Sequence, residues 1–150
     1  MTPMARVCTY LNFQGTTEEA FTFYKSVFGT EFVAPIMRVG DAPPQPGMPE
    51  LGEAEKQMVM HVALPILDGH VLMGTDFVES FGHLLERGNG HSIMVEPDTR
   101  EQADALYAAL SEGSTDAAGM AEMFWGDYWG TTVDRFGVRW MVNLPAHASA

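Results

Sequence analysis

Cysteine is almost absent. Cys8 is the only one in 150 residues, so an intramolecular disulfide and a Cys-rich zinc knuckle are both excluded, and a reducing cytoplasm is the expected setting. Cations are scarce too, with 8 Lys+Arg against 20 Asp+Glu and a formal net charge of −12. A phosphate backbone or an anionic membrane would be repelled on average, so neither nucleic acid nor a membrane is an expected partner. No apolar run approaches the roughly 18 residues of a membrane span, no secretory leader opens the chain, and no Gly-rich nucleotide loop follows a strand. At 46% hydrophobic and 19% charged, the chain is too apolar for disorder and is read as one domain over residues 1–150. Methionine is what it has in surplus, 11 residues whose soft side chains suit adaptable pockets as well as cores.

Residues 6–13 are rich in β-branched and aromatic types and close at Gln14-Gly15, a strand and turn. Thr16 with Glu19 forms a capping-box pattern, and Ala20, Phe23, Tyr24, Val27 and Phe28 follow at helical spacing until Gly29. Residues 31–38 read as a second strand. Pro43, Pro44, Pro46 and Pro49 then make a long irregular loop to about residue 56. Strands at about 57–66 and 70–75, joined by an Asp68-Gly69 turn, complete a β-α-β-β-β unit, and residues 77–90 connect it to the rest.

The second half repeats the first at an offset of 83 residues. Thr16 maps to Thr99, Glu19 to Gln102, Ala20 to Ala103, Phe23 to Leu106, Tyr24 to Tyr107 and Val27 to Leu110. A strand at 90–96 precedes the second helix, and strands at about 115–124, 127–133 and 138–144 follow it, with Phe136-Gly137 echoing Asp68-Gly69. The fold class is therefore α+β, two tandem β-α-β-β-β modules at about 5–77 and 88–146. A half this small leaves one sheet face bare, so the modules are expected to curl mixed sheets around a shared cleft, the default ligand site. Acidity is spread over both, with four cations against nine acids in residues 1–77 and four against eleven in 78–150.

Residues 10–29 (TyrLeuAsnPheGlnGly, then GluGluAlaPheThrPheTyrLysSerValPheGly), HisValAla at 61–63, LeuMetGlyThrAsp at 72–76, PheTrpGly at 124–126 and AspArgPheGlyValArgTrpMetValAsn at 134–143 carry a resemblance. Together with the paired modules, they make the chain similar to the PhnB-like branch of the vicinal oxygen chelate superfamily. That superfamily includes glyoxalase I, extradiol dioxygenases and the fosfomycin and bleomycin resistance proteins. Branch members are often labelled as a 3-demethylubiquinone-9 3-methyltransferase domain, a label the missing nucleotide loop does not support. The resemblance implies a small-molecule ligand and a homodimer.

In metal-using relatives, the resemblance implies one ligand from the first strand and one from the last strand of each module, typically His, Gln or Glu around a divalent ion. Counting back fifteen from Tyr24 and Tyr107 gives Thr9 and Ser92, and the turns place the last-strand positions at Met73 and Met141. A slip of one gives Cys8, His91, Leu72 and Trp140. Neither set makes a four-ligand cage for a hard or borderline ion. No metal site or cofactor is therefore expected, a displaced divalent metal being the exception to consider.

The remaining polar candidates are few. His61 shares a strand face with Ala63 and is either a hydrogen-bonded structural residue or a general base or substrate contact. Glu122, two residues before Phe124-Trp125, is either desolvated as a proton shuttle or a solvated strand-end carboxylate. Asp76 ends the strand of Met73, where a ligand contact and a turn or helix-capping role are both open. Tyr10, Trp125 and Trp129, with Met73 and Met141 as a pliable floor, are the expected pocket lining, while Phe13 and Cys8 are read as core. His70, His83, His91 and His147 fall in a turn, the connector, a strand start and the tail, and are read as surface residues.

Two functions fit. One is a metal-free small-molecule-binding protein; the other is a lyase, isomerase or oxygenase with His61 and Glu122 at a displaced site.

Overall fold

A computed structural model describes residues 4–146, so His147 lies outside the described residues. The chain divides into two compact units, Met1–Glu86 and Arg87–Ala150, each a mixed sheet with one long helix. The first runs β1 (Thr9–Phe13), α1 (Thr17–Phe28), β2 (Met37–Arg38), α2 (Glu53–Lys56), β3 (Val59–Pro65) and β4 (Val71–Asp76). The second runs β5 (Ile93–Val95), α3 (Arg100–Leu110), β6 (Asp116–Ala117), β7 (Ala121–Glu122), β8 (Tyr128–Val133) and β9 (Arg139–Leu144). Strand order is β1-β4-β3-β2 in one sheet and β5-β9-β8-β6 in the other, with β7 also on β8. In each, the first strand is parallel to the last and the remaining pairs are antiparallel. Among the described residues no helix is long and apolar enough to cross a membrane.

The sequence repeat is thus a structural repeat. Thr17 and Arg100 open the long helices and Val71 and Arg139 the last strands, so the spacing falls from 83 to 68 residues along the chain. The contraction reflects the Pro-rich excursion of the first unit, for which the second has a shorter path. Two expected strands are shorter than their composition suggests. Of residues 31–38 only Met37–Arg38 pair. Pro35 has no N–H to donate to a ladder, and before it only the Val33 N–H reaches across, to the Ala63 carbonyl at 3.0 Å. Residues 115–124 split into β6 and β7 around Gly119, whose φ of +82° breaks the extended path.

The two helices start differently. The Thr16 side chain makes no capping bond, so the expected box with Glu19 does not form. Asp76, at the end of β4, does the work from a distance: its Oδ1 accepts from the Gly15 N–H (2.9 Å), the Thr17 N–H (3.1 Å) and the Thr17 hydroxyl (2.6 Å). Sixty-eight residues on, the matching end of β9 is Leu144, which offers no acceptor. There α3 is capped locally, with Thr99 Oγ1 accepting from the Gln102 N–H at 3.1 Å and Gln102 Oε1 from the Asp98 N–H at 2.8 Å.

Each core lies between helix and sheet. Phe13, Ala20, Phe21, Tyr24, Leu64 and Leu72 are fully buried in the first unit, and Ala103, Leu110, Trp140 and Val142 in the second. Phe13 is core as expected, whereas Cys8 is only half-buried. Gly74 sets how closely α1 approaches, since a Cβ there would lie 2.5 Å from the Phe21 ring. The Phe136-Gly137 turn is cinched by Asp134, whose Oδ1 accepts from the Phe136 and Val138 amides and whose Oδ2 accepts from the Trp140 indole at 2.8 Å.

This difference in capping predicts an asymmetric mutational response. Thr99→Ala should cost about 1 kcal/mol and Thr16→Ala only a few tenths. Asp76→Ala, which strands several buried donors, should cost about 3 kcal/mol or more. Urea denaturation checks the ranking, and equal losses for Thr16→Ala and Thr99→Ala would contradict it.

Candidate functional site

Side chains alternate across each strand, so register decides which residues share a face. Leu72 and Gly74 of β4 are opposite Leu64 and Val62 of β3 and Thr9 and Leu11 of β1, all on the side that α1 covers. The other side carries Tyr10 and Asn12 (β1), Met73 and Thr75 (β4), His61 and Ala63 (β3) and Met37, which pairs with His61. This open face holds no carboxylate, lysine or arginine.

Tyr10 and His61 meet on it. The Tyr10 hydroxyl lies 3.1 Å from His61 Nδ1, the rings 5.8 Å apart between centroids, so the pair spans the intervening strand β4. Either the phenol donates to Nδ1 or Nδ1–H donates to the phenol oxygen, according to tautomer. Tyr10 is 49% exposed. Its hydroxyl pKa is nevertheless pushed above the ordinary value, chiefly by partial burial, with a hydrogen bond from Thr75 acting the other way.

A β-bulge lies beside the pair. Met37 opposes His61 but Arg38 opposes Val59, so β3 carries one extra residue, Met60. The freed groups of Val59 are taken by β4 side chains: its N–H donates to Asp76 Oδ2 at 2.8 Å and its carbonyl accepts from Thr75 Oγ1 at 3.2 Å. Of the two roles open to Asp76, the structure shows the structural one. The carboxylate is buried, receives four hydrogen bonds from the chain and lies on the opposite face from Met73.

Register also corrects the positions assigned to metal ligands. Thr9 lies opposite Leu72 on the helix side, within 2.8 Å of His70 Nε2, and the neighbour of Met73 is Tyr10. In the second unit the neighbour of Met141 is Met94, not Ser92. The strand positions that face one another are therefore Tyr10 with Met73 and Met94 with Met141. Among the described residues no three His, Cys, Asp or Glu side chains form a group able to hold a metal ion.

The open face of the second sheet carries Met94, Met141, Thr131, Trp129 and Asn143. Met94 is 52% exposed. Asn143 is buried, and its amide donates to Glu96 at 2.9 Å and Asp127 at 3.2 Å. Glu122 is not on this face. It pairs with Tyr128 on the α3 side and bonds Arg100 at 2.8 Å, with that guanidinium 3.9 Å from the Tyr128 ring centroid. Its side chain is 69% exposed, so the desolvated proton shuttle gives way to the solvated strand-end carboxylate. Phe124 and Trp125 stack edge to face at 4.8 Å on the β7–β8 turn, 98% and 55% exposed, so Trp125 lies off the face that holds Trp129.

The other histidines are peripheral. His83 packs on Phe77 and Phe81, and its Nδ1 accepts from the Val78 N–H at 3.4 Å; His91 is exposed. Sequence reading missed Met37, Thr75 and Met94. Alternation through Met73 and Ala63 held the signal for Thr75, whereas Met37 and Met94 emerge only from cross-strand register.

The family model described as 3-demethylubiquinone-9 3-methyltransferase matches residues 5–143. Protein PA1353 from Pseudomonas aeruginosa is 30% identical with a TM-score of 0.78, covering 94% of this chain and 98% of that one. A putative 3-demethylubiquinone-9 3-methyltransferase, PhnB protein, from Bacillus cereus is 24% identical with a TM-score of 0.72, covering 94% and 100%. The fosfomycin resistance protein FosX from Listeria monocytogenes, complexed with Mn(II) and sulfate ion, shares the fold at 10% identity and a TM-score of 0.59, covering 96% and 94%.

The Tyr10 environment gives a pH prediction. A phenol whose pKa is raised on folding contributes stability below its unfolded value of about 10, and that contribution is lost as pH rises through the folded value. Wild-type stability should therefore fall more than that of Tyr10→Phe between about pH 9 and 11. Thr75→Val, which removes the opposing hydrogen bond, should move the Tyr10 phenolate absorbance to still higher pH. Identical pH profiles for wild type and Tyr10→Phe would contradict the assignment.

Proposed function

The chain belongs to the 3-demethylubiquinone-9 3-methyltransferase family, the PhnB-like branch of the vicinal oxygen chelate superfamily, and from that premise we propose that it binds a small, largely apolar planar molecule without a divalent metal. The ligand lies on the open face of the first sheet, against Tyr10, His61, Met73 and Thr75; the second sheet carries Trp129, Met94 and Met141 on an open face of its own. The observation that carries this reading is the Tyr10–His61 hydrogen bond across β4. It offers a polar handle on an uncharged face that also carries the thioethers of Met37 and Met73, and a few convergent polar groups on an apolar lining are the usual composition of a small-molecule site.

The donor set argues against the metal of the wider superfamily. FosX was crystallised with Mn(II). Here the facing strand positions carry a phenol and three thioethers, which suit neither Mn(II) nor Zn(II). The residues present do not fit a hard or borderline divalent ion, and no chemistry is routed through one. Methyl transfer, which the family description names, is not part of the proposal, because no Gly-rich loop follows a strand to hold a nucleotide-like methyl donor. An acid/base enzyme built on His61 and Glu122 is disfavoured by the Arg100 pairing of Glu122 on the helix side of its sheet.

The proposal includes a homodimer, supported by the exposed apolar surface at Phe124 and Trp125, and a cytoplasmic setting, supported by the single cysteine. Sedimentation should give twice the 16.5 kDa chain mass. A thermal-shift screen of planar aromatic compounds tests the binding reading. A ligand at 100 times its Kd adds about 2.7 kcal/mol, or roughly 5–10 °C for a chain of this size. That shift should shrink in Tyr10→Ala and His61→Ala, and Mn(II) should leave the midpoint unmoved. No shift across a broad aromatic set would overturn the proposal.

A further inference from the structure

The open face of the first sheet gathers soft donors. Met37 sits directly opposite His61 in the β2–β3 register, and Met73 is opposite Ala63, one diagonal step from His61 on the neighbouring strand. Opposite residues have Cβ atoms about 4.5–5.5 Å apart and diagonal residues about 7–8 Å. Methionine has three rotatable side-chain bonds, so both thioethers have the length to reach one point beside the imidazole. Met37 is 49% exposed and His61 half-buried, which leaves that point open to solvent.

We infer that His61, Met37 and Met73 form a binding site for a soft monovalent cation of the Cu(I) or Ag(I) class. The donors are one imidazole nitrogen and two thioether sulfurs, a set that selects Cu(I) over the divalent ions that carboxylates favour. The face carries no carboxylate to recruit a harder ion. Tyr10 supplies the supporting contact. With Nδ1–H donating to the phenol oxygen, the ring is held in place and Nε2 keeps its lone pair for the cation, the arrangement in which metal-bound histidines are commonly oriented. The net charge of −12 raises the local concentration of any cation. The second sheet provides an internal comparison: Met94 faces Met141 there, but no histidine shares their face. This site goes beyond the small-molecule reading and does not rest on it, since the cation needs no organic ligand.

The test is an anaerobic titration of the chelator-treated full chain with Cu(I) in competition with bicinchoninate, alongside Ag(I) followed by nitrogen NMR of His61. The expected result is one tightly held Cu(I) per chain and an Ag(I)-dependent shift at His61 Nε2. Met37→Leu and Met73→Leu should each weaken binding at least about tenfold. Met48→Leu, in the Pro-rich loop, should leave it unchanged. Leucine nearly conserves methionine volume, so circular dichroism and thermal midpoint should confirm that the variants fold. Failure of the wild type to compete with bicinchoninate, or binding that survives Met37→Leu and Met73→Leu, overturns the assignment. Aromatic-ligand shifts measured with chelator present report on the small-molecule reading separately.

Discussion

The first unit depends on one carboxylate. Asp76 is buried with four hydrogen-bond donors around it and the N-terminus of α1 above it, which together offset the cost of keeping a charge out of water. Through Oδ1 it fixes where α1 begins. Through Oδ2 it takes the Val59 amide that the β3 bulge releases. Because Asp76 faces the helix, its neighbour Thr75 and then Met73 must face the other way, and β1 and β3 follow in register. The open face exists in its present form because Asp76 holds the closed one.

The second unit reaches the same topology without that residue. Leu144 stands at the matching position, α3 relies on Thr99, and a different aspartate, Asp134, organises the turn before β9. The repeated architecture therefore does not require a repeated anchor. What both units keep is a long apolar helix stripe over a short mixed sheet, the minimum that buries one sheet face.

That minimum explains what could be read in the sequence. The helix stripes, the Asp68-Gly69 and Phe136-Gly137 turns and a first strand followed by a long helix and then the remaining strands are local or periodic, and they appear where composition put them, although one expected strand divides into β6 and β7 and the short α2 interrupts the Pro-rich loop. Thr16 with Glu19 is a local signal too, but it lost to Asp76, a contact 60 residues away that no window contains. β2 was over-read because an edge strand needs few bonds and Pro35 withholds one. The ligand positions at Thr9 and Ser92 were misplaced because a count along the chain carries no register, and register sets Tyr10 beside Met73 and Met94 beside Met141. The face of Glu122 was illegible because it is set by how β7 pairs with β8, and composition does not specify pairing. For the site, Tyr10, His61 and Met73 were named from the sequence, but the bond between the first two and the place of Met37 opposite His61 belong to register alone.

Charge and polarisability are segregated in this molecule. Four salt bridges each have at least one partner on a helix: Lys25 with Glu31, Arg38 with Glu18, Lys56 with Glu53 and Arg100 with Glu122. The open face of the first sheet is instead neutral, built of phenol, imidazole, amide, hydroxyl and thioether. An anionic ligand would meet no cation there and the field of a chain at −12 beyond it. A neutral aromatic is indifferent to that field and finds thioether and ring surfaces; a soft cation is drawn by it and finds sulfur and nitrogen. The methionine surplus thus has a location and a consequence. At Met37, Met73, Met94 and Met141 it lines open sheet faces instead of filling the core, and it sets what those faces can hold.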